Sequence, residues 1–351
     1  MADRIPVAVL GATGAVGQRF IQLLADHPWF EVVAVAASER SACRPYAQAA
    51  NWVIPGDPPP RVGEMAVHPL EPDLPAKIVF SALPSSVARE IEPAFARAGY
   101  AVCSNASAYR QEPGVPLLIP EINADHVAMI PSQRTERGWQ GFIVTSPNCT
   151  TTGIVMPLKP LDKAFGLRQV FATSMQAISG AGHPGVASLD ILDNIVPYIP
   201  GEEEKIEAET RLLLGRMVDG RRTEADVVIS AQANRVPVLD GHIVCLSLGF
   251  ARSPMVEDAV AVLAGFRGPD VVRALPSAPE HPILVRPEPN RPQPRRDRDA
   301  EGGMAITVGR LRECPLLDLR LVSVSHNTLR GAASGSILNA ELLVASGYVD
   351  R

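Results

Sequence analysis

A glycine-rich turn between an apolar run and a helix-like stretch constrains this fold most. Residues 5–10 (Ile-Pro-Val-Ala-Val-Leu) predict a buried strand, and the sequence GATGAVG places Gly11, Gly14 and Gly17 directly after it. Apolar residues then recur at helical spacing up to position 24. This order is typical of dinucleotide-binding folds, in which glycines allow close backbone approach and helix N–H groups bind pyrophosphate. A glycine-rich turn that binds nothing is the alternative.

Alternation of strands and helices continues to about residue 148. Strands are predicted at 31–37, 78–80, 100–103 and 142–144, and a helix at 85–98. This alternation predicts an α/β fold with a Rossmann-like, doubly wound parallel sheet, whose ligand crevice lies at the carboxyl ends of the strands. The predicted cofactor contacts in the first turn are Gly11, Thr13, Gly14, Ala15, Val16 and Gly17.

Beyond residue 148 the pattern changes to longer strands with fewer helices between them. Strands are predicted at 168–177, 226–233, 242–250 and 304–311, with a helix near 185–195 and a charged stretch at 202–214. We interpret this region as a second, α+β domain built on a largely antiparallel sheet.

Two further segments affect the predicted domain organisation. The tract 286–301 is rich in proline and arginine, which predicts a surface loop or arm. The last 25 residues predict a long helix rich in small residues, which is expected to pack back onto the first domain. We therefore expect one domain of residues 1–148 plus 326–351 and a second of residues 149–325.

Composition argues against several classes of partner. The 351 residues carry 33 basic and 38 acidic side chains, for a net charge of −5, so a global basic surface for nucleic acid is absent. The acidic residues interleaved in the tract 286–301 argue against RNA binding there as well. No apolar run approaches the roughly 18–20 residues that span a bilayer. A strand-like run begins almost at once, and we expect no signal peptide and no membrane partner.

The cysteines predict a reduced protein. No CxxC pair is present, so neither a zinc site nor a disulfide framework is expected, and no metal is predicted. This usage indicates a cytoplasmic location with most cysteines in the core. The five are Cys43, Cys103, Cys149, Cys245 and Cys314.

The end of the second strand favours NADP over NAD as the cofactor. A lone acid there would hold the ribose 2′-hydroxyl of NAD, whereas a basic residue accommodates a 2′-phosphate. Glu39 and Arg40 both occur here, but Arg40 between Ser38 and Ser41 makes the better phosphate cradle. The alternative is that Glu39 and Arg40 simply point at water.

One cysteine lies in a context unlike a core position. Cys149 stands among hydroxyls in TSPNCTTTG, between a strand at 142–144 and an apolar helix predicted to begin near Thr151. The positive end of a helix dipole lowers the pKa of a thiol and favours the nucleophilic thiolate. A thiolate beside a nicotinamide indicates a covalent route in which sulfur adds to an aldehyde, hydride leaves, and a thioester passes to a second nucleophile.

That chemistry also needs a group that handles protons, and His242 is the best candidate. Asp240-Gly241 predicts a turn, which would place Arg235 and His242 on neighbouring strands of one hairpin. His183, in the glycine loop GAGHPG, is the competing candidate.

Taken together, these motifs make the chain similar, from end to end, to aspartate-semialdehyde dehydrogenases, in particular to their archaeal and fungal branch. Several separated motifs in the right order carry the resemblance. They are GATGAVG, SPNCTTT, SMQAISGAGHPG, GEEEKI, RVPVLDGH, RPQPRRDRDA and HNTLRGAASGS.

The resemblance implies a role for each of four side chains. Cys149 would be the nucleophile, and Gln176 would orient the substrate by neutral hydrogen bonds. Arg235 would bind the substrate carboxylate through its forked guanidinium, and His242 would be the acid/base.

The resemblance also implies a set of substrate and phosphate contacts. Glu202 would bind the substrate ammonium group and Lys205 the phosphate, although Glu203 could replace Glu202 because three glutamates are consecutive. A solvated charge run at the start of a helix is the alternative for this segment. Arg110 would bind phosphate, with Asn148 beside it.

A further set of implied contacts surrounds the nicotinamide. Cys43 stands where the family usually has a glycine, which makes the carry-over in the adjoining 38–41 loop less direct. The implied nicotinamide contacts are Ser179, Gly180, Ala181, Gly182 and Asn327.

The function that the resemblance implies is NADPH-dependent reduction of L-aspartyl-4-phosphate to L-aspartate 4-semialdehyde, through a thioester on Cys149, in lysine, threonine and methionine biosynthesis. Residues 149–325 would be the catalytic and dimerisation domain of a homodimer or homotetramer, with some closure on cofactor binding. Malonyl-CoA reductase and N-acetyl-glutamyl-phosphate reductase, which share the scaffold, are alternative activities. A non-enzymatic NADP-binding protein is a third hypothesis.

Overall fold

A parallel sheet of six strands forms the first part of the molecule. The computed structural model describes residues 4–350, and the strand order in this sheet is β3-β2-β1-β4-β5-β6. All neighbouring strands are parallel, as predicted. The strands are β1 (Ile5–Leu10), β2 (Phe30–Ala36), β3 (Val67–His68), β4 (Ile78–Ser81), β5 (Ala101–Ser104) and β6 (Phe142–Thr145).

Helices cover both faces of this sheet. α1 presents Phe20, Ile21 and Leu24 to one face, and α4 buries Ala88 and Phe95 against the other. This sandwiching explains why the strands read as nearly continuous apolar runs. The helices are α1 (Ala15–Leu24), α2 (Tyr46–Ala49), α3 (Pro60–Gly63), α4 (Ser85–Arg97), α5 (Pro120–Asn123) and α6 (Ile130–Arg137), with 3₁₀ turns at Ser107–Tyr109 and Ala124–Met129.

A second sheet of six strands follows in the order β10-β7-β11-β14-β13-β12. Three of its five pairings are antiparallel, whereas β10–β7 and β12–β13 are parallel, so the sheet is mixed. The predicted fold class of a Rossmann-like sheet plus an α+β region is confirmed. The strands of this region are β7 (Leu167–Gln176), β8 (Arg216–Val218), β9 (Arg221–Thr223), β10 (Val228–Arg235), β11 (His242–Phe250), β12 (Ile283–Arg286), β13 (Ile306–Glu313) and β14 (Leu319–Ser325).

α7, α9 and α10 cover one face of the second sheet, and α12 contacts β14. On its other face, exposed or partly exposed side chains alternate along three neighbouring strands, and Phe171, Val228 and Cys245 are examples. The helices here are α7 (Cys149–Phe165), α8 (Ser188–Ile191), α9 (Glu202–Leu214), α10 (Val256–Ala264), α11 (Asp270–Arg273) and α12 (Pro294–Asp297), with 3₁₀ turns at Ile178–Ala181 and Ala300–Gly303.

The edge strand β10 is capped by side chains of α9. The N–H groups of Ala231 and Ala233 donate to Glu207 Oε1 at 3.0 Å and to Glu203 Oε1 at 2.9 Å. These two glutamates satisfy N–H groups that an edge strand would otherwise offer to another strand. Among residues 4–350, the exposed side chains on β10, β7 and β11, rather than this edge, form the open face of the sheet.

The chain ends on the first sheet. A π-helical turn, Leu329–Ala333, leads into α13 (Ser334–Ala345), whose Ile337 and Leu338 join the core shared with α1. α13 lies against α1, β4 and β5. The predicted return of the C-terminal helix to the first sheet is confirmed.

Two predicted segments are wrong in part. The helix predicted near 185–195 is reduced to the single turn α8, because exposed apolar side chains rather than a buried stripe follow it. The tract 286–301 is not simply a surface arm, because it buries Asp297. That carboxylate accepts from Arg291 Nε at 2.7 Å and from the Gln293 N–H at 2.6 Å. Among residues 4–350, no helix is both long and apolar enough to cross a membrane.

Candidate active site

The glycine turn lies at the carboxyl end of β1 and leads into α1. Gly11 has φ of +73°, and a Cβ there would stand 2.7 Å from the Ala82 carbonyl oxygen. A Cβ on Gly17 would lie 2.3 Å from the Gly11 carbonyl oxygen, so the helix and the strand end touch backbone to backbone. Thr13, Gly14, Ala15 and Val16 form the rest of the turn and are all at least partly exposed. The turn thus leaves helix N–H groups free to face an anion.

The loop after β2 carries the residues predicted to choose the cofactor. Ser38 and Arg40 are exposed, and a turn closed by the Ser41 N–H on the Ser38 carbonyl at 2.8 Å holds Arg40 at its tip. Cys43 has φ of +62°, a backbone conformation that favours glycine. The loop therefore keeps a glycine-like conformation despite the cysteine.

Cys149 is the first residue of α7, two residues earlier than predicted. Asn148 is the N-cap, and its Oδ1 accepts the N–H groups of Thr150 at 2.9 Å and Thr151 at 3.1 Å. Its Nδ2 donates to Glu202 Oε1 at 2.8 Å. Asn148 is thus engaged in orienting the helix that begins with the cysteine, with one amide hydrogen left for a ligand.

His242 contacts the sulfur. Its Nε2 lies 3.2 Å from Cys149 Sγ, and its Nδ1 accepts the Ala177 N–H at 3.0 Å. The Ala177 carbonyl in turn accepts from Arg235 Nη1 at 2.7 Å. Gln176, the last residue of β7, is 1% exposed and donates to Ser174 Oγ at 3.2 Å.

The predicted hairpin between Arg235 and His242 is wrong, yet the two residues lie together. β7 is inserted between β10 and β11, parallel to the first and antiparallel to the second. Arg235 ends β10 opposite Gln176, and His242 begins β11 beside the same end of β7. The connection after Arg235 therefore crosses the end of β7. As a result, side chains from three strands lie together at one end of the sheet.

The electrostatics of the cysteine differ from the expectation. Cys149 keeps some exposed surface, but dense packing around the sulfur and the carboxylate of Glu202 raise its pKa to about 12, against the opposing effect of Arg110 and Arg235. The prediction of a lowered thiol pKa is wrong, because desolvation outweighs the helix N-terminus. Burial, followed by the charge of Arg235, lowers the pKa of His242 to about 3.

α9 turns the side chains of Glu202 and Glu203 in different directions. Glu202 is 6% exposed and turns toward the cysteine, where its Oε1 accepts from Asn148. Glu203 faces the other way and caps β10. Lys205 Nζ lies 3.9 Å from Glu202 Oε2 and is partly exposed, at the rim of the site.

Arg110 is linked to Asn148 by Glu209, a residue that the sequence analysis does not predict for the site. Glu209, 1% exposed, accepts from Arg110 Nη1 at 3.1 Å and from the Asn148 N–H at 2.6 Å. Glu209 lies seven residues after Glu202 on α9, and residues at this spacing share one helix face. That spacing within a helix following GEEEKI is the signal that could have identified it.

The glycine loop after β7 lies over Arg235 and His242. A Cβ on Gly180 would be 2.8 Å from Arg235 Nη1 and 3.0 Å from His242 Cε1. Asn327 Nδ2 donates to Ser179 Oγ at 2.8 Å, and its Oδ1 accepts the Gly241 N–H at 2.8 Å. Asn327 thus fixes this loop to the start of β11, while Ala181, Gly182 and the competing His183 are exposed.

The π-helical turn closes the site on its remaining side. A Cβ on Gly331 would lie 2.6 Å from the Cβ of Cys149, so this glycine lets the turn approach Cys149. Such turns occur frequently at functional sites. Within residues 4–350, no group of three or more His, Cys, Asp or Glu side chains is arranged to hold a metal.

Two family models match the chain. The NAD-binding domain of semialdehyde dehydrogenases matches residues 6–130, and their dimerisation domain matches residues 158–330. The aspartate-semialdehyde dehydrogenase of Archaeoglobus fulgidus is 52% identical over 97% of this chain and 98% of its own length. That of Cryptococcus neoformans is 46% identical over 99% of this chain and 98% of its own. This chain belongs to the aspartate-semialdehyde dehydrogenase family.

A solved structure agrees with this assignment. Aspartate-semialdehyde dehydrogenase with NADP from Candida albicans superposes with a TM-score of 0.91 at 43% identity, covering 99% of this chain and 100% of that one. The predicted resemblance to the archaeal and fungal members of the family is confirmed, as is the prediction of a dehydrogenase with a nicotinamide-dinucleotide-binding domain.

Proposed function

We propose that this chain catalyses the reversible, NADPH-dependent reduction of L-aspartyl-4-phosphate to L-aspartate 4-semialdehyde and phosphate through a thioester on Cys149. The observation that carries the proposal is the contact between Cys149 Sγ and His242 Nε2 at 3.2 Å, where α7 begins. Sulfur at this place can attack an acyl carbon and later leave it, which divides one difficult reduction into two easier steps. The product would enter lysine, threonine and methionine biosynthesis.

The cofactor is NADP, and the glycine turn fits it. The backbone contacts at Gly11 and Gly17 leave no room for a Cβ, while residues 13–16 between them keep exposed surface and no side chain caps α1. Arg40 at the tip of the neighbouring loop suits a 2′-phosphate. Among the family members, the structure from Candida albicans holds NADP. NADPH supplies the hydride that reduces the thioester.

The charged residues around Cys149 suit an amino-acid acyl phosphate. Arg235 can fork to the α-carboxylate, Gln176 can hold the substrate by neutral hydrogen bonds, and Glu202 can face the ammonium group. A malonyl group has no ammonium to pair with the buried Glu202, which favours aspartyl phosphate over malonyl-CoA. Arg110 and Lys205 would flank the phosphate.

Two unpartnered donors support an anion site near Arg110. Its Nη2 donates to the Asn105 carbonyl at 2.7 Å, while Arg110 Nε and Asn105 Nδ2 are buried with no partner among the described residues. Buried donors are rarely left unpaired, and a phosphate would satisfy them.

We further propose how the chain is organised. Residues 1–148 with 326–351 would form the cofactor domain, and residues 149–325 the catalytic and dimerisation domain, meeting at Cys149. The match to a dimerisation domain supports a homo-oligomer, in which the open face of the second sheet would receive another copy. The five cysteines are free thiols, which supports a cytoplasmic location.

The experiment that tests the function is the reverse reaction. Purified chain is given aspartate semialdehyde with NADP or NAD, with and without phosphate, and reduced cofactor is followed by absorbance. We expect phosphate-dependent reduction that is faster with NADP. Cys149→Ala should lower kcat by at least about a thousandfold, whereas Cys245→Ala, at an exposed thiol, should not. Phosphate-independent turnover, or an active Cys149→Ala enzyme, would contradict the proposal, and activity with malonyl-CoA in the forward direction would favour the alternative.

A further inference from the structure

A buried ion pair fixes the π-helical turn that borders Cys149. Arg330, inside the turn, donates from Nη1 to Glu121 Oε1 at 2.8 Å and from Nη2 to Glu121 Oε2 at 2.7 Å. Both side chains are 1% exposed. A guanidinium that meets a carboxylate through two hydrogen bonds fixes the orientation of the two groups relative to each other. α5, which carries Glu121, therefore sets the orientation of the turn.

Packing alone does not require two charges at this place. Burying an ion pair costs the hydration of both groups, and an apolar pair of similar volume is often as stable or more stable. Arg330 Nε is also buried without a partner among the described residues, while Nη2 reaches Met156 Sδ on α7 at 3.4 Å. What the ion pair supplies beyond packing is a fixed orientation of the turn.

The turn contacts Cys149 through Gly331, the residue after Arg330. A Cβ on Gly331 would lie 2.6 Å from the Cβ and 2.9 Å from the Cα of Cys149, so the turn packs directly on the cysteine. The Gly331 N–H donates to the carbonyl of His326, five residues earlier, at 3.0 Å. A change to ordinary α-helical spacing would remove this wider turn and move Gly331. The contact between Cys149 Sγ and His242 Nε2 at 3.2 Å therefore depends on a surface that the turn provides.

We propose that Arg330 and Glu121 are positioning residues for Cys149: they hold the π-helical turn in register, and the turn holds the sulfur in its reactive orientation. The inference rests on the proposed function in taking Cys149 as the nucleophile. Neither charge reaches the sulfur, because both act through Gly331. A displacement of about 1 Å near reacting atoms can lower a rate on the order of a hundredfold. The pair should therefore affect kcat much more than the KM for phosphate.

A double substitution separates this role from a purely structural one. Arg330→Met alone leaves the Glu121 charge buried and unpaired, so it should lower both stability and kcat. Arg330→Met/Glu121→Leu removes both charges, and its apolar pair should restore most of the stability. We expect its kcat to stay at least about tenfold below wild type, with a KM for phosphate within about twofold of wild type. Recovery of kcat together with stability would overturn the proposal.

Two further variants complete this test. Arg330→Lys keeps the charge but loses the forked geometry, so its kcat should also fall. If the double variant does not fold, a wild-type kcat in Arg330→Lys would overturn the proposal. Glu341→Gln is the control for lost stability, because buried Glu341 on α13 accepts from His27 Nε2 at 2.8 Å and from Ser277 Oγ at 2.6 Å. It should lower stability and leave kcat unchanged, and an equal fall in kcat would mean that lost stability explains the effect.

The position of the sulfur can also be tested without substrate. Iodoacetamide reacts with the thiolate, and the Cys149 thiol can pass its proton to His242 Nε2, 3.2 Å away. We expect Cys149 to be alkylated at least about threefold more slowly in the double variant than in wild type, with the exposed Cys245 unchanged. Peptide mass spectrometry follows each thiol separately. An equal or faster rate at Cys149 would overturn the proposal. A wild-type chain without dehydrogenase activity would instead refute the proposed function and leave this measurement intact.

Discussion

The glycine turn after β1 presents mainly backbone, whereas Cys149 is surrounded by side chains that are hydrogen-bonded to one another. Gly11 and Gly17 allow close backbone contact because they have no Cβ, and residues 13–16 between them keep exposed surface. Around the cysteine, Asn148, Glu209 and His242 are each held by two or more hydrogen bonds inside the protein. A dinucleotide carries its own phosphate charges, so an exposed backbone turn can bind it. A reacting carbon has to be met by groups fixed beforehand.

The largest effect is expected from adding a side chain where α1 contacts the end of β1. Gly17→Ala puts a Cβ 2.3 Å from the Gly11 carbonyl oxygen and 2.7 Å from the Ala12 Cα, so α1 has to leave the end of β1. We expect a loss of about 3 kcal/mol in the free energy of unfolding and no measurable NADP binding. Thermal unfolding and calorimetric titration with NADP measure the two effects.

Gly14→Ala is the matched control for that substitution. Gly14 has φ of −80°, and the nearest atom to an added Cβ is the Gly11 carbonyl oxygen at 3.5 Å, an ordinary contact. Its stability should stay close to wild type while its affinity for NADP falls, because the Cβ would stand between the backbone and the pyrophosphate. Equal losses of stability in the two variants would contradict the assignment of Gly17 to packing and of Gly14 to cofactor binding.

An intermediate effect is expected from removing a hydrogen-bond acceptor from the side chains around Cys149. Glu209→Gln removes the charge that faces Arg110 and leaves only one acceptor for Arg110 and the Asn148 N–H. Breaking a buried ion pair by removing one partner is strongly destabilising. We expect the KM for phosphate to rise at least about tenfold, since about 1.4 kcal/mol already gives that factor, with a smaller fall in kcat. Initial rates over a range of phosphate concentrations give both constants.

Glu207→Gln provides the comparison for Glu209. Glu207 lies on the same helix, but its Oε1 caps the Ala231 N–H away from the cysteine, and an amide oxygen can replace it there. Its KM for phosphate should match that of wild type. If Glu207→Gln and Glu209→Gln shift KM equally, Glu209 does not hold Arg110 for phosphate.

The same contrast explains what could be predicted from sequence. The glycine turn is a local pattern, and β1, the turn and α1 occur where the spacing of Gly11 and Gly17 places them. The partner of Arg110 is 99 residues away, and no local pattern reports a contact at that distance. β7 enters between β10 and β11 for a related reason, because strand order is decided by packing rather than by adjacency along the chain. The pKa of Cys149 was predicted in the wrong direction because desolvation depends on tertiary burial.

The smallest effect on activity is expected from Glu92, a buried glutamate on α4 whose carboxylate, unlike that of Glu209, is hydrogen-bonded at one oxygen only among the described residues. Glu92 is fully buried, and its Oε1 accepts from Ser104 Oγ at 2.6 Å, while Oε2 has no partner among the described residues. Burial raises its pKa to about 7, although the Ser104 hydrogen bond opposes the shift. Between about pH 4.5 and 7 the folded chain keeps this proton and the unfolded chain loses it, so stability falls as pH rises through that window.

Glu92→Gln should remove this pH dependence without affecting activity. Relative to the variant, wild type should lose about 3 kcal/mol of unfolding free energy between pH 4.5 and 7 and change little above that, at about 1.4 kcal/mol per unit of pKa shift. Urea unfolding at four pH values measures it, with Glu90→Gln, exposed on the same helix, as the control. A parallel pH course in wild type and Glu92→Gln would mean that the unpaired Oε2 is satisfied in solution. The difference between the hydrogen-bonded side chains around Cys149 and the parallel-sheet region would then be confined to the glycine turn.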